Sequence, residues 1–473
     1  MCCRHLLIGG KIKTMKNKTI IAIFILLSFG IAQAAVPSVA ERADALMSRQ
    51  LKKKTHPGFS VLVSREGKVL FSKAYGMADV KGKKANTPDT TFRIGSITKQ
   101  FTAAAILVLQ ERDKLSVQDS LAKYYPEWPN GKNITLHHLL THTSGIYSYT
   151  SNPFFAVQVS KPANIATLIP AIQKQKPNFA PGEKWEYCNS GYLLLGLIIE
   201  KVSGISYGEF LRTEFFEPLG MKHTGVHVAG KEPKGEALGY AKSKGLFGTS
   251  FKLSNNWDMS WAGGAGALYS TAGDLQRWNE GVFGGKVLKK QSLRAALTPV
   301  KLADGSTKNY GYGWGIREKR GVRIISHGGG LQGFQCSLAR APDQKVTVVV
   351  LCNAGPGYNP GRMTGSLADI FLEKEMTPKP VHVVNKKLIG KNYDDYVGSY
   401  DFGKAIFVVT REGDQLYVKL GGQNRLKVFP AAPDDFFLKV VEATVKFERD
   451  EKGKILRVVL HQNGQIQKAP RLK

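Results

Sequence analysis

The sequence is poor in cysteine, with five in 473 residues. Cys2 and Cys3 stand at the extreme N-terminus, and Cys188, Cys336 and Cys352 have no metal-ligand spacing. A chain of this length does not need a disulfide framework to fold. The turn-like segment "APDQK" could bring Cys336 and Cys352 together, but we expect both thiols to remain free. The cysteines therefore indicate neither a metal site nor a disulfide scaffold.

Acidic residues are few relative to basic ones. There are 37 Asp and Glu against 67 Lys and Arg, which gives a formal net charge of +30. The basic residues are dispersed and accompany no recognised nucleic-acid-binding motif, so we expect no nucleic-acid partner. One interpretation of the charge is a soluble surface with excess lysine. The other is attraction to anionic envelope polymers or membrane surfaces.

Long apolar runs are absent after the N-terminal region, where one run extends from Ile20 to Ile31. It is shorter than the roughly 20 residues of a membrane-spanning helix. Two lysines precede it and the small residues of Ala-Gln-Ala follow it, which is the layout of a secretory signal peptide starting at Met15. We therefore predict a leader over residues 1–34, cleaved after Ala34, and a periplasmic or secreted protein. An uncleaved anchor is the alternative.

The apolar pattern of the remaining chain is that of mixed helices and strands. Alternating residues over 59–79 predict a β-hairpin, and crowded apolar residues over 97–111 and 192–204 predict two buried helices. Thr271, three residues before Asp274, predicts a further helix start. Strand-like segments return in "VRIISHGG", "FQCSLARA" and "KVTVVVLCN". This order predicts an α+β fold with an antiparallel sheet flanked by helices.

The composition changes in segment 373–387, which has two prolines, many charges and no apolar period. We place the main domain at 35–375, a linker at 376–390 and a second domain at 391–473. The last segment alternates like short antiparallel strands joined by tight turns, which predicts a small all-β domain.

Ser96 and Lys99 stand three residues apart in "FRIGSITKQ", where the first buried helix begins. On a helix this spacing puts both side chains on one face, about one turn apart. A serine hydroxyl becomes a nucleophile when a base takes its proton, and a lysine shielded from water can stay neutral and be that base. The helix start adds free N–H groups that can bind an oxyanion. The alternative is a packed serine beside a lysine that reaches the surface.

Two further short patterns carry groups suited to the same chemistry. Tyr187 and Asn189 stand two residues apart before the second buried helix, so a phenol and an amide can enter one cleft. His327 ends a strand-like run and is followed by three glycines, which let a ligand approach a strand closely. Each pattern alone also fits ordinary packing or a glycine-rich turn.

Together, Ser-x-x-Lys, Tyr-x-Asn and His-Gly-Gly in this order resemble the three motifs of penicillin-recognising serine hydrolases, in the branch of class C β-lactamases, D-Ala-D-Ala carboxypeptidases and related esterases. The segments "LLTHTSGI", "PGEKWEYCNSGYLLLGLIIEKVSG" and "GGAGALYSTAGDL" add to the resemblance, which extends over about residues 40–372. It implies a β-lactamase/transpeptidase-like fold with a helical subdomain. The C-terminal part resembles the lipocalin-like β-barrel that follows this domain in some members.

The resemblance implies catalytic roles. Ser96 would be the acylated nucleophile, and Lys99 and Tyr187 would share the proton transfers. Asn189 would bind the substrate amide or orient Lys99. No cofactor or metal is implied.

On the substrate side, the resemblance places His327, Gly329 and Gly330 along the substrate, with the Gly330 and Ser96 N–H groups as the oxyanion hole. Two positions depart from the usual pattern. His327 stands where many relatives have lysine, and histidine is only partly protonated near pH 7. Gly328 stands where they have a hydroxyl side chain. Both departures weaken the hold on a substrate carboxylate, which favours peptidase or esterase work over strong β-lactamase activity.

His138 and His142 have the i, i+4 spacing used by helical metal sites. No glutamate base or third ligand accompanies them, so we expect no metal there. The sequence as a whole predicts an exported serine hydrolase that acts through an acyl-enzyme on D-amino-acid peptides, cell-wall stem peptides, esters or β-lactams. The alternative is a catalytically silent relative that binds peptidoglycan or has a structural role. The oligomeric state is left open.

Overall fold

The computed structural model describes residues 37–52, 57–153, 158–245, 248–355, 357–378, 381–403, 405–462 and 465–472. The predicted leader, 1–34, lies outside these residues. Within the described part of the chain, no helix is long and apolar enough to cross a membrane.

The α-helices of the described residues are α1 (Val39–Lys52), α2 (Thr98–Glu111), α3 (Leu136–Leu140), α4 (Ile165–Gln173), α5 (Asn189–Ser203), α6 (Tyr207–Leu211), α7 (Ala272–Phe283), α8 (Lys290–Ala296), α9 (Pro360–Phe371) and α10 (Tyr393–Tyr396). The strands up to residue 308 are β1 (Gly58–Arg65), β2 (Lys68–Asp79), β3 (Lys84–Ala85), β4 (Phe92–Arg93), β5 (Gly225–Val226), β6 (Tyr240–Gly245), β7 (Gly248–Leu253), β8 (Leu268–Ser270), β9 (Val300–Lys301) and β10 (Thr307–Lys308). The later strands are β11 (Gly315–Lys319), β12 (Val322–Leu331), β13 (Phe334–Ala341), β14 (Val346–Cys352), β15 (Gly398–Asp401), β16 (Ile406–Glu412), β17 (Gln415–Leu420), β18 (Leu426–Ala432), β19 (Asp435–Phe437), β20 (Ala443–Arg449), β21 (Ile455–Gln462) and β22 (Gln465–Pro470).

A seven-stranded antiparallel sheet, in the order β11-β12-β13-β14-β1-β2-β3, holds the main fold together. The predicted hairpin is β1 and β2. Strands β1 and β14 are buried almost throughout, because helices cover both faces of the sheet. One face packs on a core that includes Phe101 and Trp278, and the other on a core that includes Met47 and Leu367. The predicted α+β class is therefore confirmed.

The sheet register separates the two C-terminal cysteines. Cys336 pairs with Leu351, whereas Cys352 pairs with Gln335, so the cysteines are one position out of register. Side chains alternate between the faces of a sheet, and the two thiols therefore point to opposite faces and into different cores. Both are free, as expected, and so is Cys188.

The predicted helices begin and end close to the expected positions. A 3₁₀ turn, Gly95–Ile97, precedes α2, and most of α2 is buried. The second predicted helix is α5, which begins at Asn189 and ends before Gly204, a left-handed residue with φ of 77°. Thr271 caps α7 by accepting the Asp274 N–H at 3.1 Å. These local signals need only nearby residues, which is why the sequence reveals them.

The C-terminal strands β15 to β22 form an eight-stranded antiparallel sheet in chain order. Its two edges meet where Tyr400 bridges Arg471 and where the Leu472 N–H donates to the Ser399 carbonyl at 2.8 Å. The result is a nearly closed barrel with its own apolar core, in agreement with the predicted all-β domain. The Asn385 N–H donates to the Pro430 carbonyl at 2.8 Å, so the end of the predicted linker is bound to the barrel. The domain boundaries themselves stay a prediction.

Candidate active site

The proposed nucleophile lies in the 3₁₀ turn between β4 and α2. Gly95 has a φ of 51°, and a β-carbon on it would lie 3.0 Å from the Gly330 backbone nitrogen. A glycine is therefore required for the turn to lie against β12. Ser96 is half-buried, and Lys99, one turn further on, has no exposed surface. The Lys99 Nζ lies 3.1 Å from the Ser96 Oγ, as the spacing of the two residues predicts.

Three oxygens surround the Lys99 amine. Besides Ser96, these are the Asn189 Oδ1 and the Ala265 carbonyl, each 2.8 Å from Nζ. Both of these oxygens only accept hydrogen bonds, whereas a hydroxyl can also donate one. A neutral amine has two N–H groups and one lone pair. It therefore donates to Asn189 and Ala265 and directs its lone pair at the Ser96 hydroxyl.

Burial favours that neutral form. Complete removal from water lowers the pKa of Lys99 to about 7, because the charged ammonium loses its hydration. A negative charge on Cys188 would oppose this effect. However, burial also raises the pKa of the Cys188 thiol to about 11, so the thiol is uncharged near neutral pH. The lysine is therefore available as a base at neutral pH.

Tyr187 joins the pair from the segment that precedes α5. Its ring centroid lies 4.8 Å from the Lys99 Nζ. Burial raises the pKa of Tyr187 above its usual value, although the neighbouring Ser96 side chain acts in the opposite direction. The phenol therefore keeps its proton at neutral pH and can donate it to a reacting group.

Asn189 is the first residue of α5, and its surroundings orient its amide. The Nδ2 group donates to the Thr150 Oγ1 at 3.0 Å, and the backbone N–H donates to the Ser148 Oγ at 3.1 Å. With Nδ2 directed at Thr150, Oδ1 points at the Lys99 amine. Of the two roles considered for Asn189, this geometry favours orientation of Lys99.

His327 is buried and both of its ring nitrogens have partners. Nε2 lies 2.9 Å from the Tyr310 hydroxyl, and Nδ1 lies 2.6 Å from the Gly328 carbonyl oxygen. Burial and, to a lesser extent, the charge of Lys99 lower the pKa of His327 to about 4. The side chain is therefore neutral at pH 7, which differs from the partial protonation expected of an ordinary histidine.

The glycines after His327 lie on a strand with one unpaired edge. Pairing between β11 and β12 ends where Gly315 meets Ser326, whereas β13 continues to pair with β12 as far as Leu331. A β-carbon on Gly329 would lie 1.8 Å from the Ile94 carbonyl oxygen. The backbone of the glycine segment therefore lies directly against the turn that carries Ser96.

The glycine segment offers a matched pair of substitutions. Gly329→Ala cannot fit without moving the strand away from Ile94, and we expect a loss of activity of about 100-fold, since small displacements of a reacting group have effects of this order. Gly328→Ala is the control, because its β-carbon would meet nothing nearer than the Cys336 carbonyl at 3.7 Å. Steady-state turnover and thermal unfolding of both variants check this. Equal losses in the two variants would contradict the assigned packing.

The family of the chain follows from comparison with known proteins. Residues 43–369 match the family described as Beta-lactamase. The chain belongs to the beta-lactamase family. Residues 385–471, which include the barrel strands, match a domain of unknown function, DUF3471.

Among similar beta-lactamase family proteins is penicillin-binding protein 4* of Bacillus subtilis strain 168, 30% identical over 431 residues, with 88% of this chain and 95% of the relative covered. Among solved structures, the octameric penicillin-binding protein homologue from Pyrococcus abyssi is 26% identical with a TM-score of 0.64 and covers 91% of this chain and 99% of its own. A D-stereospecific amidohydrolase from Streptomyces sp. is 27% identical with a TM-score of 0.61 and covers 71% of this chain and 99% of its own.

The sequence analysis did not predict several residues that contact the candidate active site of this beta-lactamase family protein. The carbonyl of Ala265, the hydroxyl of Thr150 and the phenol of Tyr310 carry no local signal. His142 was considered only as a metal partner of His138.

The two histidines have separate surroundings. The Nδ1 of His138 accepts the Thr135 N–H in a helix cap, whereas His142 lies beyond α3 and packs on the Tyr187 ring, with centroids 4.3 Å apart. Their i, i+4 spacing therefore does not form a pair on one helix. Among the described residues there is no group of three or more His, Cys, Asp and Glu placed to hold a metal ion.

Proposed function

We propose that this protein is an exported serine hydrolase that forms an acyl-enzyme on Ser96. The observation that carries the proposal is the contact of Ser96 with the buried Lys99, whose pKa is lowered to about 7, beside the protonated phenol of Tyr187, whose ring centroid lies 4.8 Å from the Lys99 Nζ. A nucleophile, a base and an acid thus meet at one point. The N-terminal leader pattern supports export.

The geometry supports a two-step reaction. The Ser96 oxygen attacks the substrate carbonyl as its proton passes to the Lys99 lone pair. The N–H groups of Ser96 and Gly330 stabilise the negative oxygen of the tetrahedral intermediate. The Tyr187 phenol then protonates the leaving group and recovers a proton from Lys99. A water molecule attacks the ester on Ser96 with the same groups in reverse roles, which releases the acyl chain.

The substrates we propose are amides, peptides and esters of D-amino acids. The similarity to a D-stereospecific amidohydrolase supports the D configuration, and the similarity to penicillin-binding proteins supports cell-wall stem peptides and acylation by β-lactams. Neutral His327 and Gly328 provide neither a cation nor a hydroxyl for a terminal carboxylate. We therefore place D-amino-acid amides and esters ahead of carboxypeptidase substrates. The positive net charge supports attraction to an anionic envelope surface.

A covalent probe tests the proposal. We expect a fluorophosphonate or a fluorescent penicillin to label the wild-type protein, with the label mapped to Ser96 by peptide mass spectrometry. A panel of D-amino-acid amides, D-Ala-D-Ala peptides, p-nitrophenyl esters and nitrocefin then ranks the substrates. The absence of both label and turnover would favour the catalytically silent alternative.

A substitution of His327 should change the preference of the protein for substrates with a terminal carboxylate. His327→Lys introduces an amine where the native side chain is neutral, so we expect kcat/KM for an acylated D-Ala-D-Ala peptide to rise about tenfold relative to the same peptide with a C-terminal amide. A neutral p-nitrophenyl ester is the control substrate, and its rate should follow the amide. An equal change for acid and amide would show that residue 327 does not contact the terminal carboxylate.

A further inference from the structure

A series of hydrogen bonds lies next to the candidate active site and connects residues that take no part in the proton transfers described above. The Cys188 N–H donates to the His142 Nδ1 at 3.1 Å. The His142 Nε2 lies 3.2 Å from the Tyr310 hydroxyl, which lies 2.9 Å from the His327 Nε2. His327 reaches the Gly328 carbonyl through Nδ1 at 2.6 Å. Cys188 directly follows Tyr187, the proposed acid. These hydrogen bonds therefore connect the segment that carries Tyr187 to the glycine residues of β12.

The groups at the two ends determine the direction of every hydrogen bond. A backbone N–H can only donate, so the His142 Nδ1 is the acceptor and its Nε2 carries the proton. A carbonyl can only accept, so the His327 Nδ1 carries the proton and its Nε2 is the acceptor. Tyr310 therefore accepts from His142 and donates to His327. Both histidines are then neutral, in opposite tautomers.

We propose that His142 and Tyr310 are positioning residues, which hold the His327 ring through its Nε2 and keep the Tyr187 segment and the glycine strand in register for acyl transfer. The proposal rests on the proposed function, since it concerns the same site. Neither residue contacts the reacting atoms in it.

Two features of the backbone explain why these segments need hydrogen bonds to hold them in position. Three consecutive glycines have more conformational freedom than any other sequence, and here their strand is paired on one side only. The hydrogen bond from His327 to the Gly328 carbonyl restrains this segment next to Gly330. At the other end, His142 has a φ of 61°, which is unfavourable for a residue with a side chain and persists where surrounding contacts determine it.

The five hydrogen-bonded residues Cys188, His142, Tyr310, His327 and Gly328 are called the relay below, and aromatic rings surround its histidine at position 142. The Trp185, Tyr187 and Tyr192 rings pack on His142 at centroid distances between 4.3 and 6.0 Å. Burial raises the pKa of all the nearby phenols, and the Tyr192 hydroxyl donates its proton to the Leu140 carbonyl at 2.7 Å. Lys99 is the one group whose charge acts on both His142 and His327 among the described residues, and it lowers both pKa values. The relay therefore stays neutral over the working pH range.

The tautomers can be observed directly in the full-length wild-type protein. We expect long-range ¹H–¹⁵N spectra of the histidine rings to show His327 protonated on Nδ1 and His142 protonated on Nε2, with neither ring titrating between pH 5.5 and 8. The variants His327→Asn and His142→Asn assign the two signals by loss. A wild-type spectrum with His327 protonated on Nε2, or titrating within this range, would overturn the proposal whatever the variants do.

Kinetics test the consequence with a matched pair of variants. Tyr310→Phe removes the hydroxyl that joins the two histidines, and Tyr312→Phe removes the hydroxyl of another buried tyrosine, which lies 2.8 Å from the His137 Nδ1, outside the relay. Tyr310→Phe removes a partner from two buried histidines, His142 and His327, whereas Tyr312→Phe removes one from His137, which is half-buried, so a larger loss of thermal stability is expected for Tyr310→Phe. The rates are therefore compared at a temperature at which both variants are folded. We expect Tyr310→Phe alone to lower kcat, by 10-fold or more with KM little changed, and to shift the ¹⁵N signal of the His327 Nε2, which loses its hydrogen-bond donor.

The outcomes separate the two proposals. Equal kcat values in Tyr310→Phe and Tyr312→Phe, or an unchanged ¹⁵N shift of the His327 Nε2 in Tyr310→Phe, would overturn the relay. A wild-type protein without turnover or label would instead overturn the proposed function, and the wild-type ring spectra would still decide whether the two histidines have the assigned tautomers.

Discussion

Ser96→Ala is expected to abolish turnover, with a fall in kcat of about 10⁴- to 10⁶-fold, because removing the nucleophile of a serine hydrolase removes the covalent route altogether. The Ser96 Oγ lies 3.1 Å from the Lys99 Nζ, and the Tyr187 ring lies beside the same amine. Without it, binding groups and oxyanion donors remain, and only a small residual rate over water should survive. Substrate binding should be retained, since alanine removes a single oxygen from a half-buried position.

The measurement combines steady-state rates with covalent labelling by a fluorophosphonate. Ser292→Ala is a suitable control, because this buried serine belongs to α8, outside the three motifs. It should keep both rate and label. A Ser96→Ala protein that is folded, still labelled and still active would place the nucleophile elsewhere.

Replacing Lys99 by arginine should be nearly as severe, lowering kcat/KM by about 10²- to 10⁴-fold, the usual contribution of a general base. Arginine keeps the positive charge but cannot be deprotonated in a protein, so it cannot accept the Ser96 proton. In the wild type, the base is the neutral amine, and burial lowers the pKa of Lys99 to about 7. The wild-type rate should therefore rise with pH through about 7 and level off above it.

The pH profile distinguishes Lys99 from the other titrating groups of the site. The pKa of His327 is lowered to about 4 and that of Tyr187 is raised, so neither gives a limb near pH 7. Lys201→Arg is the matched control, since the Lys201 Nζ also donates to a carbonyl, that of Tyr124 at 2.6 Å, and lies over an aromatic ring. Its profile should equal that of the wild type. If the limb near pH 7 persisted in Lys99→Arg, another group would be the base.

The fold was accessible from the sequence wherever a local pattern was decisive. The capping of α7 by Thr271 and the end of α5 at Gly204 depend on residues that are close together in the sequence, and the structure contains both. Alternation of apolar residues was sufficient for the hairpin of β1 and β2 and for the C-terminal barrel strands. The order of strands in the sheet was not accessible, because β14 pairs with β1 across nearly 300 residues and no local pattern records such a pairing.

In the candidate site, too, some contacts follow from the local sequence and others do not. Ser96 and Lys99 are one helical turn apart, so their contact is a property of the local sequence. The convergence of Tyr187 and His327 with them was inferred from a resemblance. The structure places the Tyr187 ring 4.8 Å from the Lys99 Nζ and the His327 Nε2 2.9 Å from the Tyr310 hydroxyl. The resemblance did not include His142 or Tyr310, so the sequence analysis did not predict their positions next to the site.

The sequence by itself determined which groups are present: a nucleophile next to a lysine, a tyrosine with an asparagine, and a strand of glycines after a histidine. Only the tertiary structure decided their protonation. Lys99 is a usable base and His327 a neutral side chain because surrounding segments remove both from water, and the loss of hydration disfavours the charged form of each. Burial of this kind depends on residues far apart in the chain, which no short stretch of sequence contains.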